Sequence, residues 1–122
     1  MNIRIKTTGY EMTQETQSYL NERLLRIEKL LNGDAELARC EVEIGRDAGN
    51  QRHGANLWFA EFNIQSPGGR LVRATNRSES INGAIDDAKA EAERQIRRER
   101  KVHIRMWRRS GAAFKKLLRM GD

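Results

Sequence analysis

Ala38-Arg39-Cys40-Glu41-Val42-Glu43-Ile44-Gly45 alternates apolar and polar residues without a break. A period of two puts Ala38, Cys40, Val42 and Ile44 on one face of a strand and Arg39, Glu41 and Glu43 on the other. What flanks this strand decides the fold. Upstream, Leu20, Leu24, Ile27 and Leu31 recur at spacings of four, three and four, the stripe of an amphipathic helix. Thr13 is its expected N-cap, Glu15 supplies an acid to its first turn, and Asn32-Gly33 is the expected C-cap. Before the helix, Ile3 and Ile5 alternate with Arg4 and Lys6 as far as Gly9. Strand, helix and strand in that order predict two parallel strands joined by a right-handed crossover.

Downstream, residues 47–54 are a loop by composition. A third strand is expected from about Asn56 to Gln65, with Trp58, Ala60, Phe62 and Ile64 on one face. Leu57, Phe59, Glu61 and Asn63 share the other face. Ser66-Pro67-Gly68-Gly69 is a hairpin signal, and Leu71 to Thr75 is the return strand. A long helix opens near Ser78, with Ile81, Ile85, Ala88, Ala92 and Ile96 as its buried stripe. The order β-α-β-β-β-α predicts an α+β fold, a four-stranded mixed sheet with both helices on one face. The element order is similar to that of double-stranded RNA-binding domains.

The chain is basic overall, but the charge is not spread evenly. From Arg94 onward eleven basic residues stand against Glu99 and Asp122, a formal +9 in a chain totalling +6, which leaves residues 1–93 at −3. Helical phasing gathers Arg94, Arg97, Lys101, Arg105 and Arg108 on one face, with Arg98 at its margin. That face lies opposite the Ile81–Ile96 stripe. Like charges one turn apart repel by a few tenths of a kcal/mol per pair, so a single-sign face points to an anionic partner, above all nucleic acid. The first helix adds Arg23, Arg26 and Lys29, interleaved with Glu22 and Glu28, and Glu22 is placed to pair with Arg26.

Other classes of function lack their residues. No apolar run approaches the roughly 20 residues of a membrane span, and the N-terminus carries no apolar signal segment. The lone Cys40 fits a reducing, cytoplasmic setting. His53 and His103 form no metal-ligand spacing with Cys40. Glu41, Glu43 and Glu61 share a strand face, but as exposed sheet residues rather than an acid–base pair. Asp86-Asp87 reads as an exposed acidic patch. Gly68-Gly69 follows Pro67 in a hairpin with no helix behind it, which is not a phosphate-binding loop. The expectation is a protein with no catalytic residues, no metal, no cofactor and no small-molecule substrate.

The chain resembles the hibernation-promoting factor and ribosome-associated inhibitor family over about residues 1–101. The similarity is carried by Ile3-Arg4-Ile5 with Gly9 and Thr13, by Ser18 to Leu30, by Ala60-Glu61-Phe62-Asn63-Ile64, by Leu71-Val72-Arg73-Ala74, and most specifically by Ala84-Ile85-Asp86 with Glu93-Arg94-Gln95-Ile96-Arg97-Arg98. The resemblance implies a ribosome-binding translation inhibitor. It would bind the small subunit at the decoding channel and occlude transfer RNA and messenger RNA. It also implies that Arg23, Arg26, Lys29, Arg94, Arg97, Arg98 and Lys101 contact ribosomal RNA phosphates. Glu91 stands where the family usually has lysine, Ala92 where it has leucine, and Asn82-Gly83 replaces an aromatic-alanine pair. These departures move the expected footprint toward Arg94–Arg108.

Two other readings stand beside this one: a general double-stranded RNA-binding module, and a regulatory module docking through its C-terminal tail. The domain organisation expected is a single domain, 1–109, whose last helix runs to about Arg109, followed by a basic tail, 110–122. In that tail Phe114, Leu117 and Leu118 share a face, but a segment so short holds a helix poorly by itself. A monomer is expected.

Overall fold

In a computed structural model of the chain, residues 1–47, 57–67 and 70–120 are described, with side chains as far as Lys101. The elements are β1 (Asn2–Thr8), α1 (Gln14–Leu31), β2 (Arg39–Arg46), β3 (Trp58–Ser66), β4 (Arg70–Ser78) and α2 (Ile81–Met120). The strands form one sheet in the order β1-β2-β3-β4. β1 and β2 are parallel, with Ile5 opposite Val42, and the other two pairs are antiparallel. The mixed sheet with two helices is the expected α+β fold.

Each predicted stripe finds its place in the core. Leu20, Leu24, Ile27 and Leu31 of α1 are buried, as are Cys40, Val42, Ile44, Ala60, Phe62, Ile64, Val72 and Ala74 of the sheet. α2 contributes Ala84, Ile85, Ala88, Ala92 and Ile96. Each large aliphatic side chain buried this way is worth about 1.5–3 kcal/mol. The small residues have their own role: Ala84, Ala88 and Ala92 let α2 lie close on the sheet. Trp58 packs against the core edge, and Tyr10 meets it edge-on at 5.2 Å between ring centroids.

Local chemistry sets the boundaries. Thr13 caps α1 as expected, its hydroxyl accepting from the Thr16 N–H. Asn32, not Gly33, takes the positive φ (56°) at the end of α1, and the chain then continues through a 3-10 segment, Asn32–Leu37, that periodicity did not announce. β4 runs to Ser78 rather than Thr75, because Asn76, Arg77 and Ser78 still find partners in Ala60, Phe59 and Trp58. The opening of α2 is displaced accordingly, from Ser78 to Ile81. Ser80 caps it, its hydroxyl accepting from the Gly83 N–H and its carbonyl from the Ala84 N–H, both at 3.0 Å. Any side chain at Gly83 would run into the Ser78 and Ser80 hydroxyls, which accounts for glycine in the first turn. Gly45 has a comparable reason: a Cβ there would meet the Thr8 carbonyl and the Phe59 ring.

α2 has forty residues, about 60 Å of helix. It passes beyond Arg109, where the sequence set the end of the domain, through Ser110-Gly111 to Met120. One glycine costs a helix only about 1 kcal/mol, and no proline intervenes. Most of the predicted loop, including His53, and the Gly68-Gly69 turn lie outside the described residues.

Candidate nucleic-acid interface

The two helices lie side by side on the sheet and run in the same direction, because they touch at two matched levels. Tyr19 and Arg23 of α1 meet Asp86 of α2, and one level on, Arg100 donates to the Leu30 carbonyl at 2.8 Å. That second contact places a cation on an open carbonyl at the C-terminal end of α1, where the helix dipole favours it. Their solvent faces therefore form one continuous layer bearing all the predicted cations whose side chains are described.

Within this layer the cations differ sharply in availability. Arg23 is largely enclosed, with a side chain only 18% exposed. Its guanidinium lies over the Tyr19 ring at 3.4 Å, and it is paired with Asp86 at 3.1 Å and Glu22 at 3.3 Å. The Tyr19 hydroxyl donates to the other Asp86 oxygen at 2.5 Å. That hydrogen bond, together with burial, raises the Tyr19 hydroxyl above its usual range. Asp86 is thus a structural bridge between the helices while still belonging, with Asp87, to the exposed acidic patch the sequence predicted. Arg26 pairs loosely with Glu22, at 3.5 Å across one turn, and Lys29 is exposed.

On α2, Glu91 holds Arg94 at 2.5 Å, and Glu93 is shared by Lys89 at 2.9 Å and Arg97 at 3.5 Å. The Glu91 carboxyl is held below its usual range by hydrogen bonds from Gln95 and Arg94. Arg98 and Lys101 are exposed and make no ion pair among the described residues. Free positive charge thus increases along α2 toward its C-terminal half. Arg105 and Arg108 continue that face by phase, but their side chains lie outside the described residues.

The opposite face of the sheet is mixed in sign. Glu43 and Glu61 stand directly across from each other, with Glu41 beside them. Arg4, Lys6 and Arg73 complete an open trough of about 490 Å3. Glu61 pairs with Arg73 at 3.2 Å, and Glu43 accepts from the Thr8 hydroxyl at 2.8 Å. These are the partners of an exposed sheet face. Among the described residues no cluster of three or more His, Cys, Asp or Glu could hold a metal, and no helix is long and apolar enough to cross a membrane. Cys40 is fully buried, and burial pushes its thiol up to about 12, which leaves it unreactive at neutral pH.

Three participants escaped the sequence. Asp86, Gln95 and Arg100 each act on a partner 22 to 70 positions away. No local pattern marks such contacts.

A β-α-β-β-β-α domain carrying a cationic layer on two parallel helices defines a class of small α+β protein. A family model described as "Sigma 54 modulation protein / S30EA ribosomal protein" matches residues 3–103, and the chain belongs to that family. This is the ribosome-associated modulation and hibernation family that the sequence resembled. Among solved structures, the N-terminal domain of Thermus thermophilus Protein Y is similar at 26% identity and a TM-score of 0.64, covering 80% of this chain and 98% of that one. A ribosomal subunit interface protein from Coxiella burnetii shares the fold at 13% identity and a TM-score of 0.66, covering 83% of this chain and 99% of that one. No curated protein sequence matches the chain.

Proposed function

We propose that this protein is a cytoplasmic, non-catalytic inhibitor of translation that binds the small ribosomal subunit at its decoding channel. It grips ribosomal RNA phosphates and occupies space that transfer RNA and messenger RNA need. The carrying observation is the distribution of cations: Arg98 and Lys101 on α2 and Lys29 on α1 stand exposed on one helical layer with no ion pair among the described residues, while Glu22, Asp86, Glu91 and Glu93 are engaged by other basic residues. Family membership supplies the ribosome as the partner. An arginine fork grips phosphate oxygens bidentately and lysine adds a point charge. Such contacts position the protein on RNA by shape and charge rather than by base sequence.

The test is co-sedimentation with purified small subunits across a salt series. Binding should weaken steeply as salt rises, because each phosphate contact releases a counterion. Reversing Arg97, Arg98 and Lys101 together to glutamate should abolish co-sedimentation while leaving the helical circular dichroism unchanged. Undiminished co-sedimentation by a folded triple variant would remove this face from the mechanism. Competition at equal strength by arbitrary RNA duplexes would favour the general double-stranded RNA-binding module.

A further inference from the structure

A sheet edge offers its outward N–H and C=O groups to any strand that reaches it, and proteins guard such edges. The two edges here differ. On β1, Arg4 and Lys6 are exposed. Antiparallel pairing of two β1 strands about Ile5 would set Arg4 of one copy against Lys6 of the other, and like charges directly opposite destabilise the pair. The β1 edge repels its own copy through its side chains.

β4 carries Arg70, Arg73 and Arg77, but one register leaves them unopposed. Two β4 strands paired antiparallel about Ala74 would oppose Arg73 with Thr75, Leu71 with Arg77 and Val72 with Asn76. No cation faces a cation in that register. The buried residues Val72 and Ala74 would also continue into those of the other copy.

What occupies this edge is a side chain from α2. The Gln95 Oε1 accepts from the Arg73 N–H at 3.1 Å, and the Gln95 Nε2 donates to the Arg73 carbonyl at 2.8 Å. A neighbouring strand satisfies an edge residue in the same way, taking both backbone groups at once. Glu91, one turn earlier, accepts the other Nε2 hydrogen at 3.1 Å. That contact fixes the amide's orientation, since the flipped form would point Oε1 at a carboxylate.

We propose that Gln95 is a guard holding the β4 edge closed, and that the freed edge is a docking surface for β4 of a second copy, paired antiparallel about Ala74. The register follows from the guard itself. Gln95 shows that Arg73 directs its backbone groups outward, so by alternation Leu71, Thr75 and Arg77 do too. Pairing about Ala74 joins outward groups to outward groups, 73 with 75 and 71 with 77. This inference does not depend on the proposed ribosomal role.

Hydrogen exchange and sedimentation velocity test it together. In the unmodified protein the Arg73 amide should exchange about tenfold or more slowly than the Thr75 amide on the same edge. Equal rates would overturn the guard without any substitution, so the test does not depend on a variant that folds. Gln95→Ala should release Arg73 to fast exchange and shift the protein from monomer to dimer over a concentration series. Adding Thr75→Pro, which deletes an outward N–H that the paired edge needs, should restore the monomer. A Gln95→Ala protein that stays monomeric throughout, or a dimer that survives Thr75→Pro, would overturn the docking surface.

Discussion

α1 and α2 each present basic residues on the same layer, yet they use them in opposite ways. On α1 the most enclosed cation, Arg23, is held by Tyr19, Asp86 and Glu22 and joins the helices together. On α2 Glu91 and Glu93 engage Arg94 and Arg97, while Arg98 and Lys101, on either side of Glu99, have no ion-pair partner among the described residues. Positive charge counted from the sequence is therefore a poor measure of charge offered to a ligand. A paired cation must give up its partner before it can take a phosphate, whereas a solvated one gives up only water and counterions.

The largest effect that would sharpen this contrast is on RNA affinity. Arg98→Ala with Lys101→Ala should weaken small-subunit binding by about one hundredfold and lower the salt slope by about two, with thermal stability unchanged. A slope that does not move would break the contrast outright. Next in size, Arg23→Ala should cost about 1–2 kcal/mol of folding stability through the partly enclosed ion pair and the ring contact, read by chemical denaturation. Asp86→Ala should cost a similar amount, and the double variant should lose less than the two single losses together, as interacting residues do. Additive losses would mean that the bridge is not a unit.

A smaller effect in the opposite direction is expected at Glu91. Glu91→Gln keeps an acceptor for Gln95 but frees Arg94, so binding should tighten by about threefold. Filter binding at low salt would detect it, and weaker binding would contradict the neutralising role. The smallest effect is one of pH. Tyr19 has a folded-state value above its ordinary 10.0 because its hydroxyl donates to Asp86. A raised value means that the bond's stabilisation is complete below about pH 10 and is lost as pH rises through the folded value. The melting-temperature gap between the native protein and Tyr19→Phe should therefore close above pH 10.

The contrast also explains what could be read from the sequence. Strand alternation and helix stripes are local periodicities, so Cys40, Val42 and Ile44, or Leu20, Leu24 and Ile27, declared their burial directly. The parallel start of the sheet followed from a strand, a helix and a strand in order. The cationic face of α2 was legible for the same reason. The state of each cation was not, because Asp86 lies 63 residues from Arg23, and Arg100 lies 70 from Leu30. The departures from the family pattern were informative even so. Glu91, expected from the resemblance to be a departure, is the residue that takes up Arg94. At Gly83 a side chain would displace the Ser78 and Ser80 hydroxyls that stand at the start of α2. The extra length of β4 depended on partners in β3 and had no signal of its own.

The placement of the core carries a consequence for how the protein is made. Ile85, Ala88, Ala92 and Ile96 close the core from the last element of the chain. During synthesis β1 to β4 emerge first, with the inner faces of Ala60, Val72 and Ala74 bare until α2 follows. Chains fold largely from the N-terminus as they are extended, but here the hydrophobic centre cannot be sealed until most of the chain has been translated. The helix that seals it also bears the exposed Arg98 and Lys101. Closing the core and setting Arg98 and Lys101 on the surface are thus one event, and a chain that stops short of α2 has neither.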